Sequence, residues 1–312
     1  MPYPLCIIDE DEESRIIGNP DAISRTSPRW RRDIAEFGPW RSVDSDLSAS
    51  GFYGKLWISD GPCPETRIII TGECRSSMDF AWRGVESDVL STWDSILAVS
   101  QTAGRGRHGR TWISPPGNLH AAWRWPALTR ENFADPDWKS MISLLAGYII
   151  ATALHEISGI DIRLKWPNDL LADDRKIGGI LTEIRSDQVI VGIGINIDAC
   201  PPDADLRLGS AVPATHLERE GFYIGPLSLW MTLAANGKRI FQRLVAALSA
   251  SEFISVLRPM LAWVGHPVRI INGSDDITGV VAGISSDGGL RLNREGVDII
   301  IYSGSIAPIA NP

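Results

Sequence analysis

Residues 101–112 read Q-T-A-G-R-G-R-H-G-R-T-W, and Pro115 and Pro116 follow closely. Three glycines in nine residues, with two prolines behind them, cannot continue a helix or fill a strand interior, so a polar loop must interrupt the fold here. Gly104, Gly106 and Gly109 alternate with Arg105, Arg107, His108 and Arg110. Glycine permits close backbone approach, and the forked guanidinium donors suit carboxylate and phosphate oxygens. The loop is built to surround an anion, and a phosphate-bearing ligand is the first inference.

The same glycines satisfy G-x-G-x-x-G, and an apolar run from Ile96 to Val99 precedes them. A dinucleotide turn would open an apolar helix and be followed by an acidic residue about 20 positions on. Arg-Thr-Trp-Ile-Ser-Pro-Pro-Gly follows instead, which excludes that reading. Further along, Lys165-Trp166-Pro167-Asn168-Asp169 closes the alternating run 160–164. Arg175-Lys176-Ile177-Gly178-Gly179-Ile180-Leu181 comes next, and Gly192-Ile193-Gly194-Ile195-Asn196 ends another apolar run. Singly, these read as a hairpin turn, a buried strand and a closely packed strand.

In this order and at these separations, the segments resemble the catalytic domain of biotin protein ligases, from about residue 66 to 309. Lipoate ligases of the same superfamily usually carry an R-R-x-x-G-G-G-type loop, so the biotin branch is preferred. The resemblance implies a two-step reaction in which the biotin carboxylate attacks the α-phosphorus of ATP, and biotinoyl-adenylate then acylates a protein lysine. It implies ATP and biotin as substrates, Mg2+, and a biotin carboxyl carrier domain as acceptor.

By resemblance Lys176, Arg107 and Arg105 are the catalytic residues, with Lys176 contacting both the biotin carboxylate and the α-phosphate. Ser76, Ser77, Gln101, Gly104, Arg105, Gly106, Arg107, Lys176 and Gly179 would hold biotin. Arg107, Arg110, Trp112, Asn168, Asp169 and Asn196 would hold ATP or the adenylate, and Asp169 would offer oxygen to Mg2+. Ala214-Thr215-His216-Leu217 resembles an A-T-S-L element that flanks adenine in relatives. One departure concerns the D-S-T-N element of relatives: its counterpart here is Arg75-Ser76-Ser77-Met78, and Met78 cannot make asparagine's hydrogen bonds. That change opens two alternatives, a ligase for lipoate or another acyl carboxylate, and a non-catalytic biotin or adenylate sensor.

The fold implied is α+β: a mixed β-sheet catalytic domain with helices, of the class II synthetase and biotin-ligase type, plus a small C-terminal SH3-like β-barrel. Domain limits fall at 1–65, an N-terminal extension, 66–262, the catalytic domain, and 263–312, the barrel. A net charge of −8 argues against broad nucleic-acid binding. Residues 1–65 show no helix pair at helix-turn-helix spacing, and Arg29-Trp30-Arg31-Arg32 reads as a solvated patch. Four dispersed cysteines suggest neither a zinc site nor disulfides. No apolar stretch reads as membrane-spanning, and the acidic residues 9–13 argue against a targeting peptide, so a cytoplasmic location is expected. A homodimer is an option within the family, without a readable signature here.

Periodicity predicts strands near 66–71, 95–101, 118–125, 161–166, 176–184 and 188–197, and amphipathic helices over 136–155 and 227–248. Residues 198–205 read as a loop. From residue 267 the pattern changes to short glycine-punctuated strands at 267–271, 277–284, 289–293 and 297–302, the spacing of a small barrel.

Overall fold

The computed structural model describes residues 3–9, 18–43, 54–203 and 212–309. Most of the acidic run at 9–13 and the end of the 198–205 loop lie outside the described residues. In chain order the strands and helices are β1 (Leu5–Asp9), α1 (Pro20–Thr26), α2 (Pro28–Glu36), β2 (Trp40–Val43), β3 (Lys55–Ser59), β4 (Ile68–Cys74), α3 (Ser77–Glu86), β5 (Ser95–Gln101) and β6 (Leu119–Trp125). They continue with α4 (Trp138–Ser158), β7 (Ile162–Lys165), β8 (Asp169–Ala172), β9 (Arg175–Arg185), β10 (Gln188–Ile195), α5 (Pro226–Ala247) and α6 (Ala250–Leu257). The last strands are β11 (Pro267–Asn272), β12 (Asp275–Ile284), β13 (Leu290–Arg294), β14 (Val297–Ile301) and β15 (Ser305–Pro308). The chain divides into two compact units, one of residues 1–128, 180–199 and 216–238, the other of residues 129–179, 200–215 and 239–312. Both β9 and α5 run through both.

In the first unit the strands lie in the order β2-β3-β1-β4-β5-β6-β10, followed by the second half of β9. The sheet is mixed: β1 and β5 run parallel to β4, while β3, β6 and β10 run antiparallel to their partners. Ile7, Ile70, Leu97, Ala121 and Ile193 stand in register across five strands, all buried. Adjacent residues point to the opposite face, where Cys6, Ile69, Ile96 and Ala122 pack with Met78, Phe80 and Trp82 of α3. Trp123 meets Trp230 of α5 edge-on at 5.5 Å, and the Trp230 indole N–H donates to Ser95 Oγ at 2.8 Å.

Residues 1–65, to which the sequence assigns no structure, supply β1, β2, β3 and two helices to this unit. Asn19 and Ser27 accept from the first turns of α1 and α2, and a proline opens each helix, which explains why such short helices form. The reading of Arg29 to Arg32 as a solvated patch is corrected. Only Arg31 and Arg32 are exposed, Trp30 is fully buried, and Arg29 lies against carboxylates. A four-residue charge run misleads because helical geometry sends neighbours to different faces.

In the second unit β7 and β8 form a hairpin, and β8 pairs with the first half of β9 across an irregularity at Leu170/Leu171. Helix α4 is buried nearly all round, from Trp138 and Met141 to Leu154. It is therefore long and apolar enough to cross a membrane by composition, contrary to the expectation that no such stretch exists, yet its buried residues make it the core helix of this unit. Trp138 and Tyr148 of α4 both meet Phe253 of α6 within 5.4 Å. The expected small barrel is a five-stranded antiparallel sheet ordered β14-β13-β12-β11-β15, one strand more than the sequence suggests. Val268, Ile270, Val281, Leu290, Leu292 and Ile306 fill its interior.

A chain beginning at Glu65 would expose the β4 edge and strip cover from Cys6's neighbours Ile69 and Met78. It is expected to lose cooperative unfolding and to aggregate, as measured by tryptophan-fluorescence melts and solubility. A soluble, cooperatively folding truncation would contradict this account.

Candidate functional site

The glycine-rich segment leaves β5 at Gln101 and returns toward β6 as a tight hairpin. Trp112 N donates to Gly104 O at 2.9 Å, and Gly106 N to Arg110 O at 2.7 Å. A side chain at Gly104 would place its Cβ 2.5 Å from Trp112 O, so only glycine closes this hairpin. The start of the loop is also sewn to the end of β4, since Thr102 N and Ala103 N donate to Cys74 O and Arg75 O.

Gln101 is the hub of this arrangement. Its Oε1 accepts from Ser77 N at 2.7 Å, and its amide nitrogen donates to Ser114 Oγ at 2.8 Å, so one neutral side chain joins the start of α3 to both loop stems. Ser76 and Ser77 are buried at that helix start, and Ser76 Oγ accepts from Met78 N as the N-cap. Met78 turns into the core, its thioether against Gly192. The residue that departs from the family pattern is thus a packing residue.

Arg105 ion-pairs with Asp79 of α3 at 2.8 Å and with Glu183 of β9 at 3.3 Å. Glu183 also accepts from the Trp82 indole at 2.7 Å, while the Arg185 guanidinium lies 4.3 Å from that ring. Residues 103–111 with Leu181 and Glu183 line a pocket of about 560 Å3. Asp79 and Glu183 escape sequence reasoning; the alternation that puts Leu181 and Glu183 on one face of β9 is the only signal for the latter.

Behind the loop, the Trp112 indole lies flat on Gly194 of β10, where a Cβ would fall 2.5 Å from Cε2. This accounts for a glycine of G-I-G-I-N. Asn196 is buried where β10 ends. Asn118 Oδ1 accepts from Ile197 N, Asp198 N and Ala199 N, fixing the chain beyond Asn196. Burial lifts the Asp198 carboxyl above its ordinary value, with Arg29 opposing that shift.

The second unit holds the other expected residues. The corner at 165–169 is the turn of the β7–β8 hairpin, with a cis bond between Trp166 and Pro167 and Asn168 N donating to Lys165 O. The Trp166 indole donates to Gly288 O of the barrel at 3.0 Å, so Trp166 anchors the corner. Asp169 accepts from Lys165 Nζ at 2.8 Å on one oxygen and pairs with Lys176 Nζ at 2.6 Å on the other. Burial alone would raise this carboxyl, but the two ammonium groups, Lys176 above all, hold it well below the usual carboxylate range. Backbone bonds clamp Lys176, whose N donates to Pro213 O and whose O accepts from the buried Thr215. Gly179 stands opposite Asp169 in the β8–β9 register.

This environment does not fit Asp169 as a direct ligand for Mg2+. Both carboxylate oxygens already accept from cations, and the described residues contain no cluster of three or more metal-ligating side chains. Lys165 has no role in the sequence reading; its i,i+4 spacing to Asp169 across the turn is the signal for it.

His120, in β6, supports the far stem of the loop. Its Nε2 lies 3.0 Å from Pro115 O, an acceptor, so Nε2 carries the proton, and buried Nδ1 has no partner among the described residues. Burial lowers its pKa from 6.5 to about 4. A histidine whose folded value is depressed stabilises the fold fully above the unfolded value, and that stability is lost as pH falls from 6.5 toward 4. Relative to the wild type, His120→Gln is expected to flatten the urea-unfolding stability over this window by about 3 kcal/mol. Parallel pH profiles for the two proteins would exclude His120 as the group.

Residues 71–198 match the model of the biotin/lipoate A/B protein ligase family, and residues 264–307 match the biotin protein ligase C-terminal domain. The chain is 30% identical over 229 residues to the bifunctional ligase/repressor BirA of Escherichia coli, covering 67% of this chain and 64% of that protein. This chain therefore spans just under two thirds of that relative's length. It is 29% identical over 216 residues to the biotin–[acetyl-CoA-carboxylase] ligase of Paracoccus denitrificans, covering 65% of this chain and 84% of that one. Its fold is similar to the biotin protein ligase from Aquifex aeolicus in complex with biotin and ATP, with a TM-score of 0.63 and 28% identity over 77% of this chain and 97% of that one.

Proposed function

This chain belongs to the biotin/lipoate A/B protein ligase family, and on that premise we propose that it activates biotin with ATP and transfers it to a lysine of a biotin carboxyl carrier domain. The observation that carries this reading is the Lys165–Asp169–Lys176 cluster, three charged groups with a net positive charge of one, held in place by the hairpin and the 213–215 strap. Two anions, a carboxylate and a triphosphate, must meet for adenylation. A fixed cation that need not reorganise lowers the barrier to that encounter.

In the first step a biotin carboxylate oxygen bonds to the α-phosphorus while the bond to the leaving pyrophosphate breaks. Lys176 would contact both reactants, and Lys165 would hold Asp169 so that the Lys176 ammonium keeps its direction. Gln101, Gly104, Arg105, Gly106 and Arg107, with Ser76, Ser77 and Gly179, would contact biotin. Arg107, Arg110, Trp112, Asn168 and Asn196 would contact the nucleotide. In the second step the acceptor amine attacks the acyl carbon, AMP departs, and an amide forms with release of a proton. Loop closure would shield the mixed anhydride from water. Since Asp169 is taken up by the lysines, magnesium would enter with the triphosphate as part of that substrate. The reaction is proposed to run in the cytoplasm.

Incubation with biotin, magnesium-ATP and a carrier domain is expected to add one biotinoyl group to the carrier, read by intact mass. Binding of biotin or biotinoyl-adenylate without transfer would favour a sensor, and transfer of lipoate alone would favour the lipoate reading. Lys176→Ala is expected to slow biotin-dependent ATP–pyrophosphate exchange about a hundredfold or more with folding intact. Wild-type exchange in a folded variant would remove Lys176 from its role.

A further inference from the structure

Helix α2 stands outside the matched family segment, yet two of its side chains reach far along the chain. Arg29 and Asp33 are one helical turn apart and share a face. Arg29, with a side chain only 11% exposed, spends its whole guanidinium on the segment that follows β10. Nε lies 3.3 Å from Asp198 Oδ2, one terminal nitrogen 2.6 Å from Glu218 Oε2, and the other donates to Ile224 O at 2.8 Å. Asp33 accepts from Leu227 N at 2.8 Å and from the Ser228 hydroxyl, capping the start of α5.

The segment so held contains Asn196. Asn196 O accepts from Leu217 N and Ile197 O from Glu218 N, so residues 196–198 and 216–218 form a short ladder beyond the end of β10. Arg29 bridges the two sides of that ladder through their carboxylates. Without it, Asp198 and Glu218 would stand as two uncompensated negative charges on the ladder that carries Asn196, where the polyanion is expected to bind. A single guanidinium thus both fastens the ladder and halves the negative charge that would repel a triphosphate.

We propose that Arg29, delivered by the N-terminal helix α2, is a positioning residue for ATP: it holds the Asn196 segment and offsets part of the negative charge of Asp198 and Glu218 beside the nucleotide. This rests on the reading of the chain as an ATP-dependent biotin ligase. It gives helix α2 a role in nucleotide affinity and none in biotin recognition, because the Arg29 side chain bonds to Asp198, Glu218 and Ile224, while the Ser76–Gln101 cluster is held by Ser77 and Ser114.

The test is biotin-dependent ATP–pyrophosphate exchange by the full chain, with KM determined separately for ATP and biotin. Arg29→Met, which keeps the buried stem, is expected to raise the KM for ATP about tenfold and to leave that for biotin within about twofold. Adding Asp198→Asn and Glu218→Gln to Arg29→Met removes the exposed negative charge, and is expected to recover several-fold of the lost ATP affinity; a purely structural role would predict further loss. An unchanged KM for ATP, a parallel rise in both constants, or further loss in the triple variant would overturn the proposal. If Arg29→Met fails to fold, Glu218→Asp, which draws one carboxylate back and leaves α2 untouched, replaces it: an effect confined to ATP supports the role, and none or an equal effect on biotin overturns it. Absence of exchange in the wild type would bring down the ligase reading together with this inference, whereas an active wild type with an unaffected variant would bring down the inference alone.

Discussion

A carboxylate shared by two ammonium groups organises the second unit. Taking three charges out of water costs several kcal/mol per ion, and their attraction repays this only when geometry is good and the remaining donors are satisfied. Asp169 meets that condition because each of its oxygens has its own lysine. The hairpin turn sets Lys165 opposite Asp169, the irregularity at Leu170/Leu171 re-aims the paired strand, and the 213–215 backbone grips Lys176 on both sides. Trp166 in turn fastens the corner to the barrel. The result is a partly buried lysine whose ammonium direction is set by the fold, which is the property a transition-state contact requires.

The first unit solves the complementary problem, holding a cationic loop in shape. Backbone bonds and the neutral Gln101 amide do most of the anchoring. Gly104 and Gly194 let Trp112 lie between the hairpin and β10, so the loop rests on an aromatic plate. Arg105 is paired with Asp79 and Glu183 on adjoining elements. Those surface pairs are weak individually, so an incoming anion can compete for the guanidinium without disturbing the hairpin beneath it.

The strands β5, β6, β9 and β10 and the helices α4 and α5 were legible because each is long and strongly patterned. The glycine loop and the 165–169 corner were legible as chemistry because their residue types are unusual together. What escaped were features that depend on distant partners. Lys165 looks like any strand-end lysine until Asp169 and Lys176 fold against it, and Glu183 looks like a solvent-facing residue of β9 until Arg105 and Trp82 reach it. Helices α1 and α2 are too short to show a period, and β1 is five residues long. Local pattern carries no information about a partner nearly two hundred residues away.

The N-terminal segment lies outside the matched family region and is nevertheless built into the sheet. A sheet ending at β4 would present a row of unpaired backbone groups along Ile68–Cys74, and β1 pairs that row in parallel while β3 and β2 extend it to a short four-residue edge. Pairing alone would require only strands. The chain between β1 and β2 instead makes two capped helices and turns one face of α2 toward Asp198, Glu218 and the start of α5, where Arg29 and Asp33 make their contacts. Each contact costs desolvation and side-chain entropy that a plain edge strand would not incur. A fold that accepts those costs in one helical turn gains a fixed geometry for the segment after β10, and with it a link between sheet completion and the disposition of Asn196.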